Sequence, residues 1–338
     1  MSKNKIGVLL INLGTPDSPS VKDVRRYLRQ FLNDPRVIDI NPVGRFFLVN
    51  GIIVPFRSPK SAKIYKQLWT PEGSPLLIYG KKVKEKLQKV LPENFTVELA
   101  MRYQNPSLKS VLDKMQQQNY SKIILLPMFP QYASSSTGSA IEEAMRIINK
   151  WWVIPHIEIV NQFCDNDQFI DAFVEKGNRY SPKEYDHVLF SYHGLPERQV
   201  DKVYTDGKPC KDHNCEHEWN DNNEYCYKAA CYETTRRIAA KLALDPSKYT
   251  VAFQSRLGRD PWIKPYSDFE LADLAKRGVK KLLVFSPAFV SDCLETTIEI
   301  GEEYAHIFKE NGGEKLQLVE SLNDSDKWIE CLKGMVQH

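Results

Sequence analysis

The residue with the clearest chemical potential is His193, which ends the run His187-Val-Leu-Phe-Ser-Tyr-His193 and is followed by Gly-Leu-Pro196. Near neutral pH a histidine has a ring nitrogen available to take a proton or to bind a metal ion. A lone histidine is more often a buried residue that hydrogen-bonds the backbone. The position of His193 at the end of a predicted strand, ahead of a rigid turn, favours a functional role.

Carboxylates form a second group, because Asp292, Glu295 and Glu299 follow a predicted strand and open a predicted helix. Glu295 and Glu299 are four residues apart, so they share one helix face, where like charges repel. A surface helix gains nothing from this arrangement, whereas a metal path or a proton relay uses it. Histidine with carboxylates suits divalent Fe, Zn, Ni or Co. The structural alternative for Asp292 is a helix cap.

Four cysteines, separated by 4, 10 and 4 residues, lie close together in the chain: Cys210, Cys215, Cys226 and Cys231. In a cytosolic chain of this length such a cluster favours a metal centre over disulfides. The spacing leaves an iron–sulfur cluster and structural zinc both open. His213 and His217 are alternative ligands.

The segment that ends at His193 has an earlier copy, Gly7–Pro16, at an offset of 180, with Leu13 in the place of His193. Two further pairs of segments occur in the same order in both halves: Val97–Arg102 with Val251–Arg256 at an offset of 154, and Leu125–Phe129 with Phe285–Phe289 at an offset of 160. Repetition in one order indicates an internal duplication. It also predicts that Arg102 and Arg256 end corresponding strands and clamp carboxylates, with internal salt bridges as the alternative.

Strand and helix patterns alternate along the chain, which predicts an α/β protein of two similar Rossmann-like halves, each a parallel sheet flanked by helices. We place the halves at 1–152 and 153–338, with a cysteine-bearing insertion at 200–233. The last helix, at about 324–338, is expected to pack on the first half. Ligands in such folds bind beyond the carboxyl ends of strands, so we expect the active site at those ends.

Composition and charge limit the classes of function that the chain can have. The chain has 338 residues and a net charge of +3, too mild to indicate nucleic-acid binding. Its first residues contain no signal peptide, and no apolar run reaches the length needed to span a bilayer. The nearest is Phe46–Phe56, which Asn50, Gly51 and Pro55 interrupt. We therefore expect a cytoplasmic enzyme.

These motifs together resemble the ferrochelatase family, whose members insert ferrous iron into a porphyrin. The resemblance covers almost the whole chain and rests on seven segments: Leu13-Gly-Thr-Pro-Asp17, Arg102-Tyr103, Pro130-Gln-Tyr132, Ser191-Tyr-His-Gly-Leu-Pro196, Gln254-Ser-Arg256, Pro261-Trp262 and Ser291-Asp-Cys-Leu-Glu-Thr296. It implies two similar halves with a porphyrin cleft between them. It also implies that His193 and Glu295 handle the metal and the protons, with Asp292 and Glu299 as acidic residues leading to or from them.

The same resemblance implies a substrate and a set of contacts. Fe2+ is the metal substrate, and protoporphyrin IX is converted to protohaem in the last step of haem formation; coproporphyrin III is the alternative porphyrin. The implied porphyrin contacts are Leu13, Arg102, Tyr103, Tyr132 and Trp262. The four cysteines are then expected to hold a [2Fe–2S] cluster, with zinc as the alternative.

Phe46–Phe56 is expected to touch the inner face of a membrane peripherally, with core packing as the alternative. Two other functions stay open: a chelatase that loads cobalt into a corrin precursor, and a non-catalytic haem- or iron-binding sensor.

Overall fold

Two parallel four-stranded sheets form the framework of the protein, as a computed structural model shows; the structure describes residues 4–256, 258 and 260–337. The first sheet has the order β2-β1-β3-β4 and the second the order β6-β5-β7-β8. The strands are β1 Ile6–Gly14, β2 Phe95–Tyr103, β3 Lys122–Pro127, β4 His156–Ile159, β5 His187–His193, β6 Tyr249–Gln254, β7 Lys281–Phe285 and β8 Lys315–Leu318. The predicted α/β class with two similar sheets is confirmed.

Helices flank both sheets. Those that accompany the first sheet are α1 Val21–Leu32, α2 Pro42–Phe47, α3 Val54–Leu68, α4 Pro75–Val90, α5 Leu108–Gln116 and α6 Ser139–Ile148. The remaining ones are α7 Asp167–Asn178, α8 Glu197–Asp201, α9 Tyr227–Lys241, α10 Ser267–Lys276, α11 Ala305–Glu310 and α12 Asp326–Gln337. Side chains cap several of them; Ser20, for example, accepts a hydrogen bond from the Asp23 amide at the start of α1.

The chain divides into two units. Unit 1 comprises Met1–Phe129, Ser134–Gln162 and Ile329–His338. Unit 2 comprises Pro130–Ala133 and Phe163–Trp328. Each unit therefore contains one of the two sheets.

Within the part of the chain that the structure describes, three segments are π-helical instead of α-helical: Leu48–Ile53, Ser134–Gly138 and Glu295–Tyr304. The last two occupy similar places, because they follow the third strand of each sheet, β3 and β7. The helix predicted from Glu295 is present, and it begins with π-helical geometry. Short π-helical segments are rare and occur frequently at functional sites.

Strand pairing gives the true correspondence between the two sheets. With β1 and β5 aligned at the predicted offset of 180, Asn12 pairs with Met101 and Tyr192 pairs with Phe253, so the second strands correspond at an offset of 152. Leu10 pairs with Leu126 and Phe190 pairs with Phe285, which makes the third offset 159. The predicted offsets of 154 and 160 were therefore wrong by two and by one. Arg102 corresponds to Gln254, and its predicted equivalence to Arg256 was wrong.

The cores agree with this alignment. Leu9, Ala100 and Leu125 lie in one buried cluster, and their equivalents Leu189, Ala252 and Val284 lie in another. Strands of a parallel sheet that are covered on both faces are apolar along their length, which explains the continuous run Val8–Ile11. The candidate site lies at the strand ends, where His193 closes β5 and Gln254 closes β6.

Candidate active site and cysteine cluster

His193 is the last residue of β5, at the carboxyl edge of the second sheet. Its Nδ1 lies 2.7 Å from the carbonyl oxygen of Gly194. A carbonyl oxygen can only accept, so Nδ1 carries the hydrogen in this contact. In the neutral ring the lone pair is then on Nε2, which is the nitrogen able to take a proton or a metal ion.

Glycine is required beside this histidine, because the turn passes very close to its neighbours. The Gly194 amide donates to the Gln254 carbonyl oxygen at 2.7 Å. A Cβ at position 194 would come within 2.7 Å of that oxygen and within 3.2 Å of a ring carbon of Trp262. The Ile263 amide donates to the Leu195 carbonyl oxygen, which ties the Trp262 loop to the same turn. Trp262 is thereby held beside the His193 turn.

Three side chains of unit 2 donate hydrogen bonds to the Glu299 carboxylate. One oxygen accepts from Ser255 Oγ at 2.6 Å and from Gln254 Nε2 at 3.3 Å. The other accepts from the Tyr304 hydroxyl at 3.2 Å. Glu295 lies one turn earlier on the same π-helical segment.

Burial raises the pKa of Glu299, and the hydrogen bond from Ser255 and the charge of His193 partly oppose that rise. The nearby charge of Glu295 adds to it. A carboxyl group whose pKa is raised is suited to exchanging protons closer to neutral pH.

Asp292 has a different setting. Its carboxylate accepts from the Ser321 amide at 3.0 Å and from Asn323 Nδ2 at 2.7 Å, and its own amide donates to Asn323 Oδ1. These bonds fix the chain after β8 to the segment that opens the π-helix. The role of Asp292 in metal or proton movement stays a prediction.

Sequence reasoning did not assign a role to Gln254, Ser255 or Tyr304. The segment Gln254-Ser-Arg256 was a signal, since it is one of the motifs that carry the family resemblance. Nothing in its composition indicated that Gln254 and Ser255 contact a glutamate more than 40 residues further along the chain.

Arg102 lies at the corresponding edge of the first sheet and forms an internal ion pair. Its guanidinium contacts Asp34 Oδ2 at 2.6 Å and donates to Ser139 Oγ at 2.7 Å. The Tyr103 hydroxyl donates to the same carboxylate oxygen at 2.8 Å. Asp34 is 2% exposed in its side chain, and Tyr103 is equally buried. The structure thus shows the salt-bridge alternative for Arg102, and contact of either residue with a porphyrin stays a prediction.

The pKa of Asp34 is lowered despite burial, because Ser139, the Arg36 amide and Tyr103 hydrogen-bond the carboxylate and Arg102 adds its charge. Four groups therefore stabilise one buried negative charge.

Leu13 and Tyr132 are both partly exposed. Leu13 is the next-to-last residue of β1, and its amide donates to Asn12 Oδ1. Tyr132 belongs to unit 2, where its ring packs edge-on against Tyr225 at 5.5 Å between ring centroids. Both remain candidates for contact with a flat apolar ligand.

The cysteine insertion brings three thiols together. The Sγ atoms of Cys210, Cys215 and Cys226 are 3.6 to 3.7 Å apart and buried. Within the described residues this is the only set of three or more cysteine, histidine, aspartate or glutamate ligand atoms that lie within 4.8 Å of one another. Zn–S bonds of about 2.3 Å in a tetrahedral site place sulfurs about 3.8 Å apart, which matches this spacing. The thiols can therefore hold a metal ion.

Cys231 lies outside that group. It is completely buried on α9 and hydrogen-bonded to Tyr227. A [2Fe–2S] cluster takes four cysteines divided between two irons. The side chains as they stand fit a single ion better than this cluster, because three thiols surround one point and the fourth is engaged elsewhere.

A tyrosine and a histidine cover the three thiols. The Tyr204 hydroxyl lies 2.7 Å from Cys215 Sγ, and His213 stacks on the Tyr204 ring at 3.8 Å. These neighbours limit access of water to the sulfurs.

An apolar surface occurs on α2, the π-helical segment after it and α3. Phe46, Phe47 and Phe56 are 58%, 67% and 74% exposed. Arg57, Lys60 and Lys63 are exposed further along α3. Among the described residues, no helix has the length and apolarity to cross a membrane. We refer to Phe46, Phe47 and Phe56 as the apolar lip.

Known proteins are similar to this chain in sequence and in fold. The family model for ferrochelatase matches residues 5–338. The chain is 46% identical to a ferrochelatase of Coxiella burnetii (strain Dugway 5J108-111) over 340 residues, covering 99% of this chain and 94% of that protein. It is 42% identical to a ferrochelatase of Legionella pneumophila (strain Lens) over 330 residues, covering 98% of both.

One solved structure supports the fold. SirB from Bacillus subtilis with Fe3+ has a TM-score of 0.54 at 10% identity, covering 98% of this chain and 94% of that one. At this identity the likeness concerns the fold alone.

The ion pair of Asp34 generates a prediction about acid stability. A lowered pKa in the folded state means that the unfolded chain binds this proton first. The stabilisation is therefore present above the usual aspartate pKa of about 3.9 and is lost as pH falls through the lowered folded value. We expect the melting temperature of Asp34→Asn to fall less steeply below about pH 4 than that of the parent protein.

The matched control is Asp113→Asn, whose carboxylate is half exposed beside Lys109. It is expected to follow the parent curve. Identical acid limbs for the parent and Asp34→Asn would contradict the prediction.

Proposed function

The chain belongs to the ferrochelatase family, and from that premise we propose that it inserts Fe2+ into protoporphyrin IX and releases protohaem. Family membership establishes an enzyme, a lyase that places a metal in a porphyrin. The choice of protoporphyrin over coproporphyrin is the finer part of the proposal.

The observation that carries the mechanism is the hydrogen bond between His193 Nδ1 and the Gly194 carbonyl oxygen, at 2.7 Å. A free porphyrin holds two N–H protons where the metal must bind, so both must leave as Fe2+ enters. The bond to Gly194 leaves the lone pair on Nε2, which can accept one proton at a time. We assign His193 as the base.

Protons taken by His193 must move on before the second one can be accepted. Glu299 interacts electrostatically with His193, and its pKa is raised by burial. Glu295, on the same π-helical segment, offers a second carboxylate. We propose that Glu299 and Glu295 receive these protons, and that Glu295 and His193 also bind the incoming Fe2+. Because Nε2 has a single lone pair, His193 accepts a proton only after it has released the metal. Asp292 fixes the start of this segment through Ser321 and Asn323.

The porphyrin itself needs flat apolar contacts. Trp262 is held beside the His193 turn, and Tyr132 and Leu13 are partly exposed. We propose these three as contacts to the macrocycle. We propose that Arg102 and Tyr103 act through Asp34, since both side chains contact its carboxylate.

A resident metal is proposed for Cys210, Cys215 and Cys226. Their mutual distances favour a single ion such as zinc. The [2Fe–2S] cluster implied by the family resemblance is the second candidate, and it requires Cys231 to leave Tyr227 and become a ligand. Bound metal would fold the insertion around itself.

A lipid surface is proposed as the partner of the apolar lip. Three exposed phenylalanines, next to the cations of Arg57, Lys60 and Lys63, combine the two features that attract a protein to an anionic bilayer. Porphyrins are poorly soluble in water, so a peripheral enzyme on the inner face of the membrane would meet its substrate there.

Anaerobic mixing of protein, Fe2+ and porphyrin tests the main proposal through the loss of free-porphyrin absorption bands. We expect His193→Ala and Glu295→Gln to lower the rate by about 100-fold or more, because general-base catalysis contributes that much. The parent is expected to prefer protoporphyrin IX to coproporphyrin III.

His187→Ala and Glu303→Gln are the matched controls. His187 lies at the opposite end of β5, and Glu303 is exposed on the same π-helical segment. Both should retain parental rates. An inactive parent, or full activity in both site variants, would refute the assignment.

Metal analysis and the visible spectrum of purified variants test the cysteine proposal. A single ion held by three thiols predicts that Cys226→Ser loses its metal while Cys231→Ser keeps it. Cys331→Ser, a buried cysteine outside the insertion, is the control. A coloured parent that loses its colour in Cys231→Ser would show a four-cysteine cluster and overturn the single-ion proposal.

Co-sedimentation with vesicles of phosphatidylcholine and phosphatidylglycerol tests the lipid proposal. Replacing Phe46 and Phe47 with Ser is expected to weaken binding at least tenfold, since burying one phenylalanine contributes about 1.5 to 3 kcal/mol. Trp152→Ser, at a 98% exposed residue outside the lip, is the control. Equal binding by all three proteins would contradict a role for the lip.

A further inference from the structure

We infer that Gln254 is a positioning residue for metal insertion: its side-chain amide holds the Glu299 carboxyl group against the π-helical turn that begins at Glu295, and it does so as a neutral group. This inference rests on the proposed function, in which Glu299 receives protons from His193. Neither the family comparison nor the fold assigns this role to Gln254.

The geometry defines which end of the amide faces Glu299. Gln254 Nε2 lies 3.2 Å from the Glu295 carbonyl oxygen and 3.3 Å from a carboxylate oxygen of Glu299. A carbonyl oxygen cannot donate, so the amide nitrogen must point toward it. Both N–H groups of Gln254 are then used on the π-helical segment. The amide links the backbone at Glu295 to the side chain at Glu299, one turn apart.

A second contact fixes the other end of the amide. Gln254 Oε1 accepts from the Ser191 hydroxyl at 2.7 Å, and Ser191 in turn contacts Ser267 Oγ at 3.1 Å. All three side chains are buried, with 1% exposure for Gln254 and 0% for the two serines. Burying polar groups is costly unless each finds a partner, so this chain of contacts requires a reason.

Unit 1 shows that the fold itself does not require these polar groups. The residue equivalent to Ser191 is Ile11, at the offset of 180. Bridges from Met101 to Ser107 and from Phe253 to Tyr266 make Leu108 the equivalent of Ser267. Ile11 and Leu108 are buried members of an apolar core cluster. The hydrogen-bonded polar side chains therefore occur in unit 2, which carries His193. Unit 1 has apolar side chains at the positions equivalent to Ser191 and Ser267.

The equivalent positions 102 and 254 also differ in charge. Arg102 stands where unit 2 has Gln254, and each donates to a carbonyl oxygen of the helix that follows the third strand, Ser139 for Arg102 and Glu295 for Gln254. In unit 1 the guanidinium stabilises the charged form of the Asp34 carboxylate, whose pKa is lowered. A cation at position 254 would stabilise the charged form of Glu299 in the same way and would oppose protonation. A neutral amide positions the carboxyl group and leaves both protonation states accessible.

The test introduces the residue of unit 1 into unit 2. In Gln254→Arg we expect kcat to fall about tenfold with KM changed less than twofold, because the substrate contacts are untouched. The low-pH limb of the kcat profile should move by about 1 to 3 pH units toward lower pH, as a neighbouring arginine stabilises carboxylates. His193, Glu295 and Tyr304 are titratable groups that act on the pKa of Glu299, so these are kept unchanged.

Ser191→Ala is the milder variant, and it removes the donor that orients Gln254 without adding a charge. It should lower kcat about threefold with the pH limb unmoved, a smaller effect of the kind expected from lost orientation. The matched control is Gln88→Glu in unit 1, where a partly buried amide joins α4 to β2 through the backbone of Phe95 and Val97. That variant should change the melting temperature but neither kcat per folded molecule nor the pH profile.

The outcomes separate this inference from the proposed function. An active parent, an impaired Glu299→Gln variant and a Gln254→Arg variant with the parental pH profile would overturn the positioning role alone. An inactive parent, or a fully active Glu299→Gln variant, would overturn the proton path and the inference with it. If Gln254→Arg does not fold, Ser191→Ala decides: a parental kcat would refute the role of Gln254, and a reduced kcat at unchanged KM would support it.

Discussion

The pairing of β5 with β6 brings His193 opposite Gln254 at the carboxyl edge of the second sheet, and the arrangement of the site depends on this register. Parallel strands place their carboxyl ends at one edge, where the chain leaves the sheet and polar side chains become permissible. The turn after β5 fixes the His193 ring through the Gly194 carbonyl oxygen. Gln254 and Ser255, at the end of β6, hold the Glu299 carboxylate. A slip of one residue would exchange the two faces of β6 and turn Gln254 away from the π-helical segment.

The two similar sheets have chemically different carboxyl edges. At equivalent places the first sheet has Leu13 and Arg102, and the second has His193 and Gln254. The strands and their core clusters are alike, so the burial of apolar residues that stabilises each sheet is largely separate from these edges. Substitutions at the strand ends could therefore change chemistry at little cost to the fold. In unit 1 the buried polar groups near the strand end are satisfied by a salt bridge. In unit 2 they are satisfied by hydrogen bonds between neutral side chains.

The sequence predicted the class of fold and its two similar parallel sheets, but it aligned the two halves incorrectly in two of three places. A shift of two residues along β2 keeps the same side chains on each face, so the hydrophobic pattern cannot distinguish an offset of 152 from one of 154. The third strands are buried on both faces and apolar throughout, so their pattern carries no face information at all. Only the hydrogen-bond register of the strands distinguishes these offsets. The same register establishes that Arg102 and Gln254 are equivalent. The π-helical geometry after Leu294 was also beyond the sequence pattern, because contacts between Gln254 and this turn lie far apart in the chain.

The fourth cysteine illustrates how local spacing and tertiary contact compete. Spacing made Cys231 equivalent to the other three, yet α9 begins at Tyr227, directly after Cys226, and places Cys231 one turn inside the helix. There the Tyr227 hydroxyl bonds both to Cys231 and to the backbone of His193. Tyr227 therefore joins the end of the insertion that carries Cys226 to the strand end that carries His193, the proposed base. Cys231 belongs to that connection, which gives a structural reason for its burial that does not involve metal. A metal ion bound by the preceding cysteine would hold the start of α9, and through Tyr227 it would hold the backbone from which His193 projects.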